Sequence, residues 1–170
     1  MNSNIPSVLN ALIADEYFAF FGYHQLRAVM LGAGLKHAVD VFEEILKDEL
    51  DDHFNKLVDY ANSEGIEVFL SIDDMRGNAN DPDITILDGV DTVGAVSTQI
   101  GAEQRAIRNY QLAADMVEDE DPALAKMLMD IKNEEREHLS KLMDLYSEIT
   151  ANDKSLDTRG YVPEWNDEEF

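Results

Sequence analysis

The sequence predicts an all-α fold: an antiparallel four-helix bundle with a long crossover between helices two and three. Three observations lead there. Four segments carry apolar residues at alternating steps of three and four, the period of a helix with one buried face. Two of the three connections are short enough to force antiparallel neighbours, and the third is long enough to cross the bundle from end to end. The first half of the chain also repeats in the second. At 170 residues, one domain with a sizeable core is expected over 1–151, followed by an acidic, flexible tail over 152–170.

The first helix is expected over 5–31. Asn4 is placed to cap it, Pro6 suits its first turn, and Leu9, Ile13, Glu16, Phe20, Tyr23, Arg27 and Met30 share one stripe. Gly32-Ala33-Gly34 ends it, and a second helix runs from about Leu35 to Ser63, with Gly65 as its stop. Residues 65–91 lose the periodicity. Gly77, Asn78, Asn80, Pro82 and Gly89 punctuate them, and Ile66–Leu70 and Ile84–Leu87 read as short patches, strand-like or packed loop. The third helix, about Thr92–Glu118, starts behind the cap Asp91. Asp121-Pro122 supplies a cap and a first-turn proline for the fourth, about 122–150. Within the tail, Tyr161, Val162 and Trp165 are groups able to dock on the bundle.

The repeat is specific. Leu9, Ile13, Glu16, Phe20, Tyr23 recurs in the same phase as Val96, Ile100, Glu103, Ile107, Tyr110. DDHFNKLVDY in the second helix answers REHLSKLMDL in the fourth, so His53 matches His138 and Leu57 matches Leu142. Two similar helical hairpins thus make one bundle.

Within that frame the core stripes carry polar residues. Glu135 and His138, in NEEREHLSKL, lie one turn apart on the stripe of Leu128, Ile131, Leu142 and Leu145. Buried unpaired charge is costly, and a metal ion is the simplest compensation, since carboxylate and imidazole both ligate transition metals. The other helices supply matching groups: Glu16, Glu103, and Glu49 with His53. One Glu from each of two helices and a Glu/His pair from each of the others is the ligand set for two metal ions in a bundle. Iron or manganese suits it, and zinc is compatible.

The second helix departs from the fourth, because Glu49 and His53 are four apart rather than three. An extra residue accommodated as a π-bulge near 49–53 puts Glu49, Ile45, Phe42 and Ala38 on the core stripe. Without it, an ordinary i, i+4 pair still shares a face. Tyr23 and Tyr110 lie on the ligand stripes, placed to hydrogen-bond a ligand, to donate an electron, or simply to pack. His24 and His37 fall off the stripes and are expected at the surface, Glu134 and Glu137 read as a solvated face, and the seven Met residues read as core filler.

Composition narrows the function. With 13 basic and 36 acidic residues the formal charge is −23, a surface that repels nucleic acid and anionic membranes and concentrates cations. The chain has no cysteine, hence no thiolate metal site. No apolar run approaches bilayer length, and the N-terminus has no basic signal region, so a cytoplasmic location is expected.

Glu16 with Tyr23, Glu49 with His53, Glu103, and Glu135-Arg136-Glu137-His138 together resemble the ferritin-like superfamily, and within it the bacterioferritin type of di-iron site. The resemblance spans about residues 5–150. It implies a left-handed bundle assembling into a hollow homo-oligomeric cage, with ferroxidase activity: two Fe(II) per subunit are oxidised by dioxygen or hydrogen peroxide and stored as mineral. It also implies Glu49 and Glu135 as bridges, Glu16 and Glu103 as terminal ligands, one imidazole per iron from His53 and His138, and Tyr23 beside the centre. Bacterioferritins carry an axial haem Met directly after the second-helix Glu, whereas this chain has Leu50, which argues against haem. Classical ferritins add a fifth helix that the tail does not provide, leaving cages of twelve or twenty-four subunits both open.

Other functions weigh less. A di-iron or di-manganese oxidase or peroxidase that keeps its metals fits the same ligands, although the rubredoxin centre of rubrerythrins would need cysteines. DNA protection, as in some mini-ferritins, needs basic arms, whereas this tail ends NDEEF. A docking role on a metal-dead bundle would not require an intact ligand set.

Overall fold

The computed structural model describes residues 4–80 and 91–152. Helix α1 spans Ile5–Gly32. Helix α2, Lys36–Asp48, continues through a π-helical stretch, Glu49–Phe54, into α3, Asn55–Ser63. A short α4, Ile72–Asn78, lies in the crossover, followed by α5, Thr92–Val117, and α6, Pro122–Asn152. The four long helices of the expected bundle are present within a residue or two of their expected ends.

Two glycines perform the stops that the sequence assigned to them. Gly34 (φ 74°) and Gly65 (φ 69°) take the left-handed conformation that a side chain disfavours. Around them the amides of Leu35 and Ile66 reach back to the carbonyls of Met30 (3.1 Å) and Ala61 (2.8 Å), closing α1 and α3. Asp91 caps α5 through Gly94 N (2.7 Å), and Asp121 caps α6 through Leu124 N (2.9 Å). Asn4 is a correction: it occupies the cap position of α1, but its side chain makes no cap bond.

Residue pairing sets the direction of the helices. Tyr23 pairs with Glu103 and Tyr110 with Glu16, so α5 runs antiparallel to α1. Arg27 pairs with Glu43 and Glu16 lies against His53, so the second helix is antiparallel to α1 and therefore parallel to α5, as the crossover requires.

The crossover is strapped to α1. Buried Asn10 donates to the carbonyls of Glu67 (2.9 Å) and Pro6 (2.9 Å), and its side-chain oxygen accepts from Phe69 N (3.0 Å). Asp15 accepts from the backbone (2.8 Å) and side-chain (2.7 Å) amides of Asn80. Between these anchors, α4 buries Met75 against Ala14 and Phe18. Helix α4 was not anticipated from the periodicity; residues 66–70 are irregular rather than strand. Ile84–Leu87, and the tail from residue 153 with Tyr161, Val162 and Trp165, lie outside the described residues. Among those described, no helix is long and apolar enough to cross a membrane.

Besides the small cluster around Met75, the interior among the described residues holds two large apolar clusters. One holds Leu9, Leu12, Ile13, Leu57, Tyr110, Leu124 and Ile131, the other Tyr23, Leu26, Phe42, Ile45, Ile107 and Leu142. Between them lies a layer of buried Glu and His.

Asp121 joins two elements, because its second carboxylate oxygen accepts the Tyr60 hydroxyl from α3. Asp121→Ala is expected to destabilise the bundle by about 1–2 kcal/mol. The check is the urea unfolding midpoint, and an unchanged midpoint would mean that this cap contributes nothing.

Candidate metal centre

All six ligand candidates meet in the polar layer. Glu16, Glu49, His53, Glu103, Glu135 and His138 are each at most 2% exposed. They form two overlapping groups whose ligand atoms lie within 4.8 Å of one another: Glu16, Glu49, His53 and Glu135, and Glu49, Glu103, Glu135 and His138. Glu49 and Glu135 belong to both. Each turns one oxygen toward each histidine. Glu49 places Oε2 3.7 Å from His53 Nδ1 and Oε1 3.5 Å from His138 Nδ1; Glu135 places Oε1 3.4 Å from His53 Nδ1 and Oε2 3.1 Å from His138 Nδ1. Glu49 and Glu135 thus lie between the two histidines, while Glu16 and Glu103 each belong to one group.

The π-helical stretch brings the second-helix pair into the core together with the apolar faces on both sides of it. Ala38, Phe42, Ile45 and Glu49 are buried while Glu43 is exposed, and Leu57 and Ala61 are buried on the far side of the stretch. The extra residue is thus absorbed in one widened turn, and both flanking helices keep their apolar faces inward.

Glu16 Oε2, both oxygens of Glu49, His53 Nδ1 and Glu103 Oε2 are buried without a hydrogen-bond partner. Buried polar atoms are rarely left so, and here they converge on one another. The donor set, three carboxylates and one imidazole around each position, fits a hard or borderline divalent cation such as iron, manganese or zinc.

Without a cation, protons take its place. Burial, with repulsion from Glu49, raises Glu16 well above the usual carboxylate range; burial, with repulsion from Glu135, does the same to Glu103. Burial acts in the same sense on Glu49, but hydrogen bonds from His138 and His53 outweigh it and hold this carboxyl below the usual range. Glu135 is lowered in the same way, with burial and Glu49 opposing and His138 and His53 prevailing. Burial disfavours a charged imidazole, yet Glu135, Glu16 and Glu49 keep His53 protonated far above the ordinary histidine range. Glu135 and Glu49 raise His138 to about 11. The metal-free layer therefore balances two carboxylates against two imidazolium groups, with two further carboxyls leaning to the neutral form.

Two residues outside the ligand set hold the histidines. His53 Nε2 lies 2.9 Å from Glu134 Oε2, whose other oxygen meets Lys56 Nζ at 3.4 Å. His138 Nε2 lies 3.4 Å from Asp48 Oδ2. These contacts aim Nδ1 of each ring at the cluster. Glu134 was expected to be merely solvated, and Asp48 was not singled out. The signal was nonetheless present, since each directly precedes one of the two shared carboxylates, Glu49 and Glu135, in the repeat.

The tyrosines are placed symmetrically. Tyr23 donates to Glu103 Oε1 and Tyr110 to Glu16 Oε1, each reaching the terminal carboxylate of the other hairpin. Burial and the neighbouring carboxylates raise both phenols well above their ordinary range, so they remain donors. His24, His37 and Glu137 are exposed and outside the centre, as expected, and Leu50 is 38% exposed beside it.

Comparison with known proteins gives consistent findings. The chain matches the model of the ferritin-like domain over residues 7–151. No curated protein sequence matches it. Among solved structures it is similar to a dodecameric thioferritin, the bacterioferritin-related protein of Bacteroides fragilis (TM-score 0.77, 23% identity, 87% of each chain). It is also similar to Dps from Listeria monocytogenes (TM-score 0.74, 14% identity, 86% of this chain and 93% of that one) and to a mutant Dps from Listeria innocua (TM-score 0.75, 12% identity, 89% and 97%).

Two outcomes test the centre. His53 and His138 are raised, so their protonation stabilises the metal-free fold fully below about 6.5, and that contribution fades as pH climbs through the folded value. A cation must displace those protons. Co(II) affinity is thus expected to rise about tenfold per pH unit for each net proton released, read by calorimetry in buffers of different protonation enthalpy. Glu134→Gln should lower Co(II) affinity by about 10–100-fold, while Glu137→Gln should leave it unchanged. Equal effects from the two would remove Glu134 from its positioning role.

Proposed function

Because the chain belongs to the family of ferritin-like domains, we propose that it is an iron-storage and detoxification protein that oxidises Fe(II) to Fe(III) at the six-ligand centre and retains it in a homo-oligomeric cage. The observation that carries this reading is the placement of both oxygens of Glu49 and Glu135 between His53 and His138. Two Fe(II) are the substrate. Glu16 and His53 hold one, Glu103 and His138 the other, and Glu49 and Glu135 bridge them.

The chemistry is oxidation by electron transfer. Each Fe(II) gives one electron, and an external oxidant takes both: dioxygen leaves as hydrogen peroxide after gaining two protons, or hydrogen peroxide leaves as two waters after gaining two. The carboxylates supply negative charge that favours Fe(III) over Fe(II). Glu134 and Asp48 keep the imidazoles in place, and Tyr23, bound to a terminal carboxylate, is close enough to take part. The net charge of −23 raises the local concentration of Fe(II) and offers carboxylates for mineral growth. The dodecameric thioferritin supports a cage of twelve. A cytoplasmic site of action, with no haem, nucleic acid or membrane partner, completes the reading.

The same ligands would serve a resident di-iron or di-manganese oxidase or peroxidase, and one experiment separates the two. Metal-free protein titrated with Fe(II) in air is expected to oxidise two irons per chain quickly, then retain many more in a large particle. Saturation at two per chain in a small oligomer would favour the resident-metal enzyme. Glu49→Ala, which removes a ligand from both positions, should slow the first oxidation by at least the about 10–100-fold typical of losing an outer partner. An undiminished rate would remove the centre from the reaction.

A further inference from the structure

We propose that Lys56 is a positioning residue for one cation position only: through Glu134 it fixes the imidazole of His53, and the His138 side has no equivalent. This role rests on the reading of the six-ligand centre as a site for two cations, and not on which metal or reaction uses it.

Three observations carry it. First, Asp52, Lys56, Glu134 and His53 form one chain of contacts. Lys56 Nζ lies 3.0 Å from Asp52 Oδ2 and 3.4 Å from Glu134 Oε1, and Glu134 Oε2 lies 2.9 Å from His53 Nε2. Asp52 and His53 are neighbours in sequence, so the chain of contacts closes on itself between the π-helical stretch and α6. Second, the other ring nitrogen of His53, Nδ1, is buried without a hydrogen-bond partner, facing Glu16 at 3.5 Å, Glu49 at 3.7 Å and Glu135 at 3.4 Å. Whatever turns Nε2 therefore turns the nitrogen that faces the cluster. Third, the other half of the repeat is wired differently. Lys141 follows His138 by three residues, as Lys56 follows His53. The repeat would set Lys141 against Asp48, the acid at His138 Nε2. It meets Glu44 instead, at 2.9 Å, and among the described residues no lysine or arginine pairs with Asp48. His138 Nε2 is also farther from its acid, at 3.4 Å.

The two acids account for the difference. Glutamate has one methylene more than aspartate, so Glu134 reaches a histidine and a lysine at once, and Asp48 has less span. A half-exposed ion pair contributes little to folding, so the effect of Lys56 is on orientation. With Oε1 held by Lys56, the Glu134 carboxylate presents Oε2 to the ring in one arrangement, and the ring keeps Nδ1 toward the cluster. His138, held by one unbraced carboxylate, keeps more freedom to turn.

The test titrates the metal-free full chain with Co(II), followed by calorimetry and visible absorption. The imidazole N–H protons of the Co(II)-loaded protein are then read by NMR. Two Co(II) per chain are expected. The unaltered protein should show one such proton exchanging slowly with water and one exchanging fast, a comparison that needs no substitution. Lys56→Met should weaken one Co(II) by about three- to tenfold, less than the about 10–100-fold of losing a direct partner, and should speed exchange of the slow proton alone. Lys56→Arg should keep both properties, and Lys141→Met should change neither. In a Glu134→Gln background, Lys56→Met should add almost nothing, because its action passes through that carboxylate. Equal exchange rates in the unaltered protein, no weakening or equal weakening of both Co(II) by Lys56→Met, or an additive effect with Glu134→Gln would overturn the role of Lys56 and leave the two-cation site standing. Weakening by Lys141→Met as large as that by Lys56→Met would overturn its one-sidedness. Binding of no Co(II) by the unaltered protein would overturn the two-cation site as well.

Discussion

Four carboxylates in one dry cross-section of a helical bundle repel one another strongly, and much of the structure is an answer to that repulsion. Burial penalises each charge, and proximity penalises them together. The layer is kept near neutrality by two charged imidazoles and by protons on the terminal carboxyls. Divalent cations would meet the same need more completely, since they would also satisfy the oxygens that no hydrogen-bond donor reaches. The apolar clusters on either side hold the layer dry and hence keep the repulsion strong. Metal binding at this layer would be coupled to fold stability through the same balance.

The repeat explains why the solution is nearly symmetric. A carboxylate on the first helix of each hairpin, a Glu/His pair on the second, an acid one residue before each bridging Glu, and a tyrosine seven residues after each terminal Glu all occur twice. The halves interlock rather than merely adjoin. Tyr23 of the first grips Glu103 of the second, Tyr110 returns the contact to Glu16, and each histidine is held by an acid from the other half. Neither hairpin builds half a site on its own.

The clustering of the six buried Glu and His side chains was legible in the sequence because periodicity and repetition agree. A Glu on an apolar stripe is ambiguous alone, but Glu16 and Glu103 share a phase with Ile13 and Ile100. The widened turn at 49–53 was readable for a related reason, since only an added residue brings Ile45, Phe42 and Glu49 into phase with His53 and Leu57. What escaped was information carried by distance rather than pattern. Glu134 and Asp48 look like ordinary surface acids in so acidic a chain; their matching places in the repeat mark them, but which groups they hold is decided by the approach of His53 and His138 from other helices. Helix α4 has seven residues, too few for a periodic stripe, and its main local sign is Ser71 capping Asp74 N at 3.1 Å. Asn4 illustrates the opposite case, a favourable residue type whose side chain forms no cap bond.

The π-helical stretch carries a consequence for how such centres vary between proteins. A residue added to a regular helix turns everything beyond it by about 100°, which would swing Leu57 and Ala61 out of the core. Here the addition is confined between Glu49 and Phe54, and the chain on either side is undisturbed. The turn between Glu49 and His53 thus holds one residue more than the turn between Glu135 and His138, yet both pairs reach the same buried layer. Within this single molecule, spacings of three and of four serve the same place. Any description of the centre as one fixed interval between Glu and His captures only half of it.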